Sequence, residues 1–300
     1  THPSPSFCDW SVMSSVNYAR YDGIYKSELP GAIVMAAIYA PLFLLNVFRS
    51  IRHPTYVLIV LAFFCLIRVV AFTLRAILAG SDSAGENISL LIAEQIIYSV
   101  GFFGLLYSAY TLMLQERHTL DGPIALGLRI IKNRRVIRLV LTVAIALGIA
   151  AGSMSSSSNE NTLNTAATLR RASVYIFLAV SAALVVIVSQ LAFFEATEER
   201  RDHSARIGQQ HGAVILLAIA LLCLVREAFY AATVKNTIQQ NNAHLWYPLS
   251  ALTELLAVLL FAVPGLVPSR ADIAGALGSS AGGRYVSQAG SDAEMKPLDM

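Results

Sequence analysis

Apolar positions along this chain do not alternate or recur on one face; they run unbroken through seven stretches separated by short polar ones. The stretches are Leu29–Phe48, Thr55–Ala79, Ile88–Leu114, Val136–Gly152, Ala172–Phe194, Gly212–Val234 and Leu245–Val267. A helix needs about 20 mostly apolar residues to cross the hydrocarbon of a bilayer, and an aqueous helix would keep one polar face. The pattern therefore predicts an all-α, seven-transmembrane bundle over residues 29–267. An exterior N-terminal segment, residues 1–28, precedes it, and a disordered cytoplasmic tail, residues 268–300, rich in Gly, Ser and Ala, follows. The fourth span is the shortest, and Arg138 at its start can reach back to the interface and lengthen it. Pro41 and Pro248 fall inside spans, where neighbouring helices can take up the carbonyls they free. Two polar stretches flank helix five: Ser153–Asn164 reads as a flexible loop, and Glu195–Arg206, alternating acid and base, as a solvated extension of the helix.

Composition agrees with a membrane protein. Of 300 residues 56% are hydrophobic and only 14% charged, with a mean hydropathy of +0.60; a soluble domain carries roughly 25% charged residues. Net charge is +3 without a basic stripe, which argues against a nucleic-acid partner. Lys and Arg set the orientation. The loops between spans 1–2, 3–4 and 5–6, with the tail, hold thirteen; the opposite side holds five, Arg20, Lys26, Arg170, Arg171 and Lys235. The N-terminus is thus expected outside and the C-terminus in the cytoplasm. The sequon Asn87-Ile88-Ser89 falls on the same exterior side and marks Asn87 as a glycosylation acceptor. Cys8, Cys65 and Cys223 form no CxxC or disulfide framework, and no metal or cofactor is implied.

Chemistry concentrates in six ionisable residues inside the spans: Arg68 and Arg75 in helix two, Glu94 in helix three, Arg226 and Glu227 in helix six, and Glu254 in helix seven. Each would cost roughly 2.5–3.5 kcal/mol facing lipid at mid-membrane, so they should turn inward and pair. Arg68 and Arg75 are seven apart, on one face of their helix with Phe72 between. Matching depths across antiparallel helices pairs Arg75 with Glu94 and Arg226 with Glu254. Two readings stay open: ion pairs that fix helix register, or a polar cavity for an amphiphile's head group. Gln95, Tyr98 and Tyr230 supply hydrogen-bonding edges at similar depth, while Trp246 and Tyr247 fit an interfacial aromatic belt. Ala144, Gly148 and Gly152 form a small-residue ladder suited to close packing within the bundle or at a homodimer contact.

Absences narrow the function. No lysine lies within a span to hold retinal, the six histidines show no zinc-binding spacing, and no nucleotide-binding motif occurs. Glu116-Arg117 is similar to the acidic-Arg pair of G-protein-coupled receptors, without that family's NPxxY or Trp-x-Pro elements. Arg68-Val-Val-Ala-Phe72-Thr-Leu-Arg75 resembles the E-x-x-x-Y-x-x-R of the fungal lipid-translocating exporter family, linked with aminocholesterol and sphingoid-base resistance; Arg75 matches, Phe72 replaces tyrosine and Arg68 stands in place of glutamate. Gln95 with Tyr110, Arg226-Glu227-Ala228-Phe229-Tyr230, His244-x-Trp246, Glu254 and Val263-Pro264-Gly265 resemble that family's motifs in helices three, six and seven. The resemblance implies a plasma-membrane or vacuolar protein whose partners are membrane lipids and an amphipathic small molecule that it moves, extrudes or senses; with no recognisable catalytic constellation in the sequence, an enzyme is not expected. A seven-helix receptor signalling through the basic loop Arg129–Arg135 is the second expectation, and an intramembrane lipid-modifying enzyme the third.

Overall fold

The computed structural model describes residues 17–117, 134–155, 157, 159–197 and 211–267. Among these there are no strands, and seven helices are long and apolar enough to cross a membrane. They are α1 (Leu29–Arg52), α2 (Tyr56–Gly80), α3 (Ile88–Arg117), α4 (Arg134–Met154), α5 (Glu160–Thr197), α6 (Gly212–Thr233) and α7 (Ala243–Phe261). The expected tail, Cys8, the basic residues 129–133 and most of the charged stretch 195–206 lie outside the described residues, as do the side chains of Glu116 and Arg117.

Local sequence explains where the helices begin. Pro30 sits in the first turn of α1, where a missing N–H costs nothing. Asn87 caps α3 by accepting from the Ser89 and Leu90 amides at 3.0 and 3.3 Å. α5 starts at Glu160, twelve residues before its apolar run, so much of the expected loop Ser153–Asn164 is already helix. The polar turn Glu160–Asn164 hid this start, because it carries no apolar run of its own. α7 is made of three pieces: α-helix over Ala243–Trp246, a π-helical stretch over Tyr247–Ala251, and α-helix over Leu252–Phe261. Pro248 has no N–H to give the helix, and the backbone widens around it.

Sequential neighbours pack together, most extensively α1 on α2, α4 on α5 and α5 on α6; α3 also touches α6 and α4. α3 is the hub of the core, burying Phe102, Leu105, Leu106, Ala109 and Met113. The outer faces of α1 and α2 leave Ile33, Leu44, Phe48, Ile59, Phe63 and Val70 exposed, as lipid contact requires. The small-residue ladder of α4 faces inward. A Cβ on Gly152 would lie 2.9 Å from Ile96 of α3, and one on Gly148 would lie 3.2 Å from Ser173 of α5. Ser173 donates to the Ala144 carbonyl at 2.7 Å. The ladder is used within the bundle.

Residues 17–28 form a strap across the end of the bundle that holds the loops α2–α3 and α6–α7. Arg20 and Lys26 pair with Asp82 at 2.5 and 2.9 Å. Asp22 accepts from Gln95 of α3 at 2.5 Å and from Asn241, before α7, at 2.9 Å. Gly23, at φ +95°, makes the turn between these contacts, a left-handed backbone that glycine adopts without strain.

Candidate functional site

All six intramembrane ionisable residues are buried, and a seventh joins them. Glu28, at the end of the strap, is 2% exposed, so it belongs to the bundle and not to the exterior segment that ends at residue 28. The count is therefore four carboxylates against three guanidiniums, and the balance of three with three expected from the spans does not hold. Two linked clusters result.

In the first, Arg75 gives Nε and Nη2 to Glu28 Oε2 at 3.0 and 2.8 Å, and Nη1 to Glu94 Oε1 at 3.4 Å. The expected Arg75–Glu94 contact exists, but the two-donor grip on Glu28 is the closer one. The Arg75 guanidinium also stacks 3.9 Å from the Trp246 ring. In the second cluster Glu254 Oε1 accepts from Arg226 Nε and from Arg68 Nη2, both at 2.7 Å. The expected Arg226–Glu254 pair is thus half of a shared carboxylate. Arg226 Nη1 also bonds its neighbour Glu227, and Arg68 Nη1 donates to the Tyr98 carbonyl at 2.7 Å. Gly101 permits the approach of α2 to α3 here, since a Cβ on it would lie 3.1 Å from Arg68 Nη1.

Aromatic rings insulate both clusters. Tyr98 lies under Arg68 at 3.9 Å, Phe102 and Tyr230 face Arg226 at 4.0 and 4.4 Å, and Trp246 packs on Tyr98 and Phe72. Such desolvated cation–ring contacts are each worth about 2 kcal/mol. Trp246 is 2% exposed and donates its indole N–H to Tyr230 Oη at 3.1 Å, so it is a core residue and not the belt residue its position suggested. Tyr247, half-buried, donates to the Glu28 carbonyl at 3.2 Å. Among the described residues Glu28 Oε1, Glu254 Oε2, Arg68 Nε and Tyr39 Oη are buried without a hydrogen-bond partner.

A cavity of about 350 Å³ opens beside these clusters, between α3, α4, α5 and α6. Arg75, Glu94, Gln95, Arg226 and Glu227 line it, together with Tyr98, Tyr230 and Trp246. Arg68 and Glu254, the other two residues singled out by sequence, do not line it; they contact Tyr98 and Arg226, which do. Its upper walls come from α5 through Ala166, Arg170 and Arg171, and from Lys235, Thr237 and Gln240 after α6, so its mouth faces the strap side. Apolar walls from Ile145, Ile149, Val174 and Phe177 complete it. Ile149, in that apolar wall, is 41% exposed. Asn87 is exposed at the start of α3 on the strap side, away from this cavity.

Sequence reasoning missed Glu28 and Arg170. Glu28 stands immediately before Leu29-Pro30, level with the end of α2 and the start of α3, and that height match was the available signal. Arg170 was placed in a loop because the start of α5 was drawn too late. Among the described residues no group of His, Cys, Asp and Glu is suited to a metal ion.

The strap carries a titratable contact of its own. Burial pushes the Asp22 carboxyl above its ordinary value of 3.8, against the opposing pull of Arg170 and the hydrogen bonds of Thr237 and Asn241. A carboxyl raised in the folded state contributes stability that is complete below 3.8 and is lost as pH rises through the raised value. Asp82 behaves oppositely: hydrogen bonding and charge from Lys26 and Arg20 hold it low, so its contribution is present at neutral pH and fades in acid. Thermal unfolding of Asp22→Asn should accordingly lack the destabilising step that the parent shows on raising pH just above the ordinary carboxylate range. Identical pH profiles for parent and variant would refute the assignment.

Residues 31–270 match a domain of unknown function, DUF7702, which covers all seven helices. No curated protein and no solved structure matches the chain.

Proposed function

The chain belongs to the DUF7702 family, and from the chemistry of its buried site we propose that it binds amphipathic, lipid-like molecules in the charge-lined cavity and moves them across the membrane. The observation that carries this reading is a cavity of about 350 Å³ that combines five intramembrane polar side chains with an apolar wall of Ile145, Ile149, Val174 and Phe177. That size is in the range of small-molecule sites, which are mostly apolar with a few placed polar groups. Ion pairs serving only to fix helix register need no adjoining space, and charges within a membrane ordinarily mark a substrate or proton path.

Each residue has a role in this reading. Arg75, Glu94, Gln95, Arg226 and Glu227 meet the head group. Glu254, itself anchored by Arg68, holds Arg226 from behind, and the unpartnered oxygens of Glu28 and Glu254 hold an exchangeable proton when the pairs rearrange. The N-terminus lies outside, as the basic loops suggest, and the protein resides in a plasma or vacuolar membrane, in line with the resemblance of its helices two, three, six and seven to lipid-translocating exporters. The exterior end of α3 would then present Asn87 for glycosylation.

A receptor is the second reading, favoured by the π-helical stretch of α7, which connects cavity-lining Trp246 to Glu254. π-helical stretches often accompany functional sites. Purified protein in proteoliposomes, given fluorescent sphingoid and phospholipid probes, separates the two. Transport requires protein-dependent probe movement that Val174→Trp, which fills the cavity, abolishes. No movement of any probe by folded protein would discard the transporter, and ligand-dependent recruitment of a cytoplasmic partner would then establish the receptor.

A further inference from the structure

Charge is unevenly distributed along the cavity. Five cationic side chains line it, Arg75, Arg170, Arg171, Arg226 and Lys235, against two acidic ones, Glu94 and Glu227. The deep cations are matched: Arg75 and Arg226, with Arg68 behind them, face the four buried carboxylates. The excess therefore lies wholly at the mouth, on Arg170, Arg171 and Lys235.

None of these three forms an ion pair among the described residues. Arg170 gives Nη2 to the Gln240 amide oxygen at 2.6 Å, a neutral acceptor, and its other donors are uncommitted. Asp22 is the carboxylate whose charge reaches Arg170, but its Oδ2 already accepts from both Gln95 and Asn241. Arg171 and Lys235 are exposed beside it. A half-buried guanidinium with spare donors, flanked by two more cations and walled by apolar residues, is suited to the forked recognition of an oxyanion. The low-dielectric walls strengthen the attraction relative to open water.

We propose that the mouth of the cavity is an oxyanion site centred on Arg170, with Arg171 and Lys235 around it, taking the phosphate or carboxylate group of its ligand. Assignment of that group to an amphiphile's head rests on the function proposed above; the anion site itself does not. The apolar wall of Ile145, Ile149 and Val174 then receives the chain of the same molecule.

Trp246 is a built-in reporter of occupancy, because it lines the cavity and Trp10 is the other tryptophan. The full chain carrying Trp10→Phe, reconstituted in nanodiscs, is titrated with hexyl phosphate, hexyltrimethylammonium, hexyl glucoside and inorganic phosphate. Hexyl phosphate should bind roughly tenfold or more tightly than the cationic and neutral amphiphiles, as a charge-assisted pair predicts. Arg170→Gln should erase that preference and Arg170→Lys retain part of it. Inorganic phosphate binding as tightly as hexyl phosphate would support the site and assign it to a soluble anion; weaker binding assigns it to a lipid head. Binding of all three hexyl compounds without preference, or a preference that survives Arg170→Gln, overturns the oxyanion site while leaving amphiphile binding intact. Binding of none overturns both.

Discussion

Glu254→Ala is expected to cost the folded protein about 3–5 kcal/mol, the largest loss of any substitution at the site. One oxygen of Glu254 accepts from two guanidiniums that are at most 4% exposed, Arg68 and Arg226. Alanine leaves both cations facing each other across a dry interior, with the Tyr98 carbonyl, Glu227 and the rings of Tyr98, Phe102 and Tyr230 to answer them. Thermal unfolding in nanodiscs would show the loss directly. Glu254→Gln keeps an acceptor oxygen between the arginines and should fold. In the proposed mechanism it nonetheless stops lipid movement, because an amide cannot take up and release a proton. A stable Ala variant would mean that the shared carboxylate does not organise the bundle. A Gln variant with unaltered transport would remove Glu254 from the mechanism while leaving its structural role.

Arg75→Met should be nearly as damaging, and its partner dependence is the more informative result. Arg75 is the one recorded ion-pair partner of both Glu28 and Glu94 among the described residues. Removing it strands two carboxylates between the strap and α3. Neutralising the closer of them should therefore recover stability: Arg75→Met with Glu28→Gln is expected to be more stable than Arg75→Met alone, with a coupling of about 1–3 kcal/mol in the double-mutant cycle. Strict additivity would place Glu28 outside the ion-pair cluster, as an exterior residue would be.

The spans were legible because lipid allows so few solutions: a run of apolar residues long enough to cross can only be a helix. Depth along antiparallel helices was also readable, which is why Arg75 was matched with Glu94 and Arg226 with Glu254. Sharing was not readable. Pairing by height assigns one partner to each charge, whereas Arg75 reaches two carboxylates and Glu254 reaches two arginines. Glu28 escaped because the membrane domain was drawn from the first apolar residue, and the strap carries a polar residue below that line. Trp246 was misplaced for a related reason. A tryptophan near a span end usually lies at the interface, but here Trp246, just before the π-helical stretch of α7, packs inward onto Arg75. The polar start of α5, with Arg170 two turns beyond it, gave no apolar run to follow. The cavity mouth depends on that helix, so its chemistry was hidden with it.

The unequal count of buried charges has an electrical meaning. With every group ionised, four carboxylates and three guanidiniums leave one uncompensated negative charge in the clusters that span the strap, α2, α3, α6 and α7. A unit charge carried through a full membrane potential of 100 mV changes energy by about 2.3 kcal/mol. Any rearrangement that shifts this charge, or loads it with a proton from one side, does work in proportion to the fraction of the potential crossed. A membrane voltage would therefore act on any rearrangement that displaces the charge of these clusters.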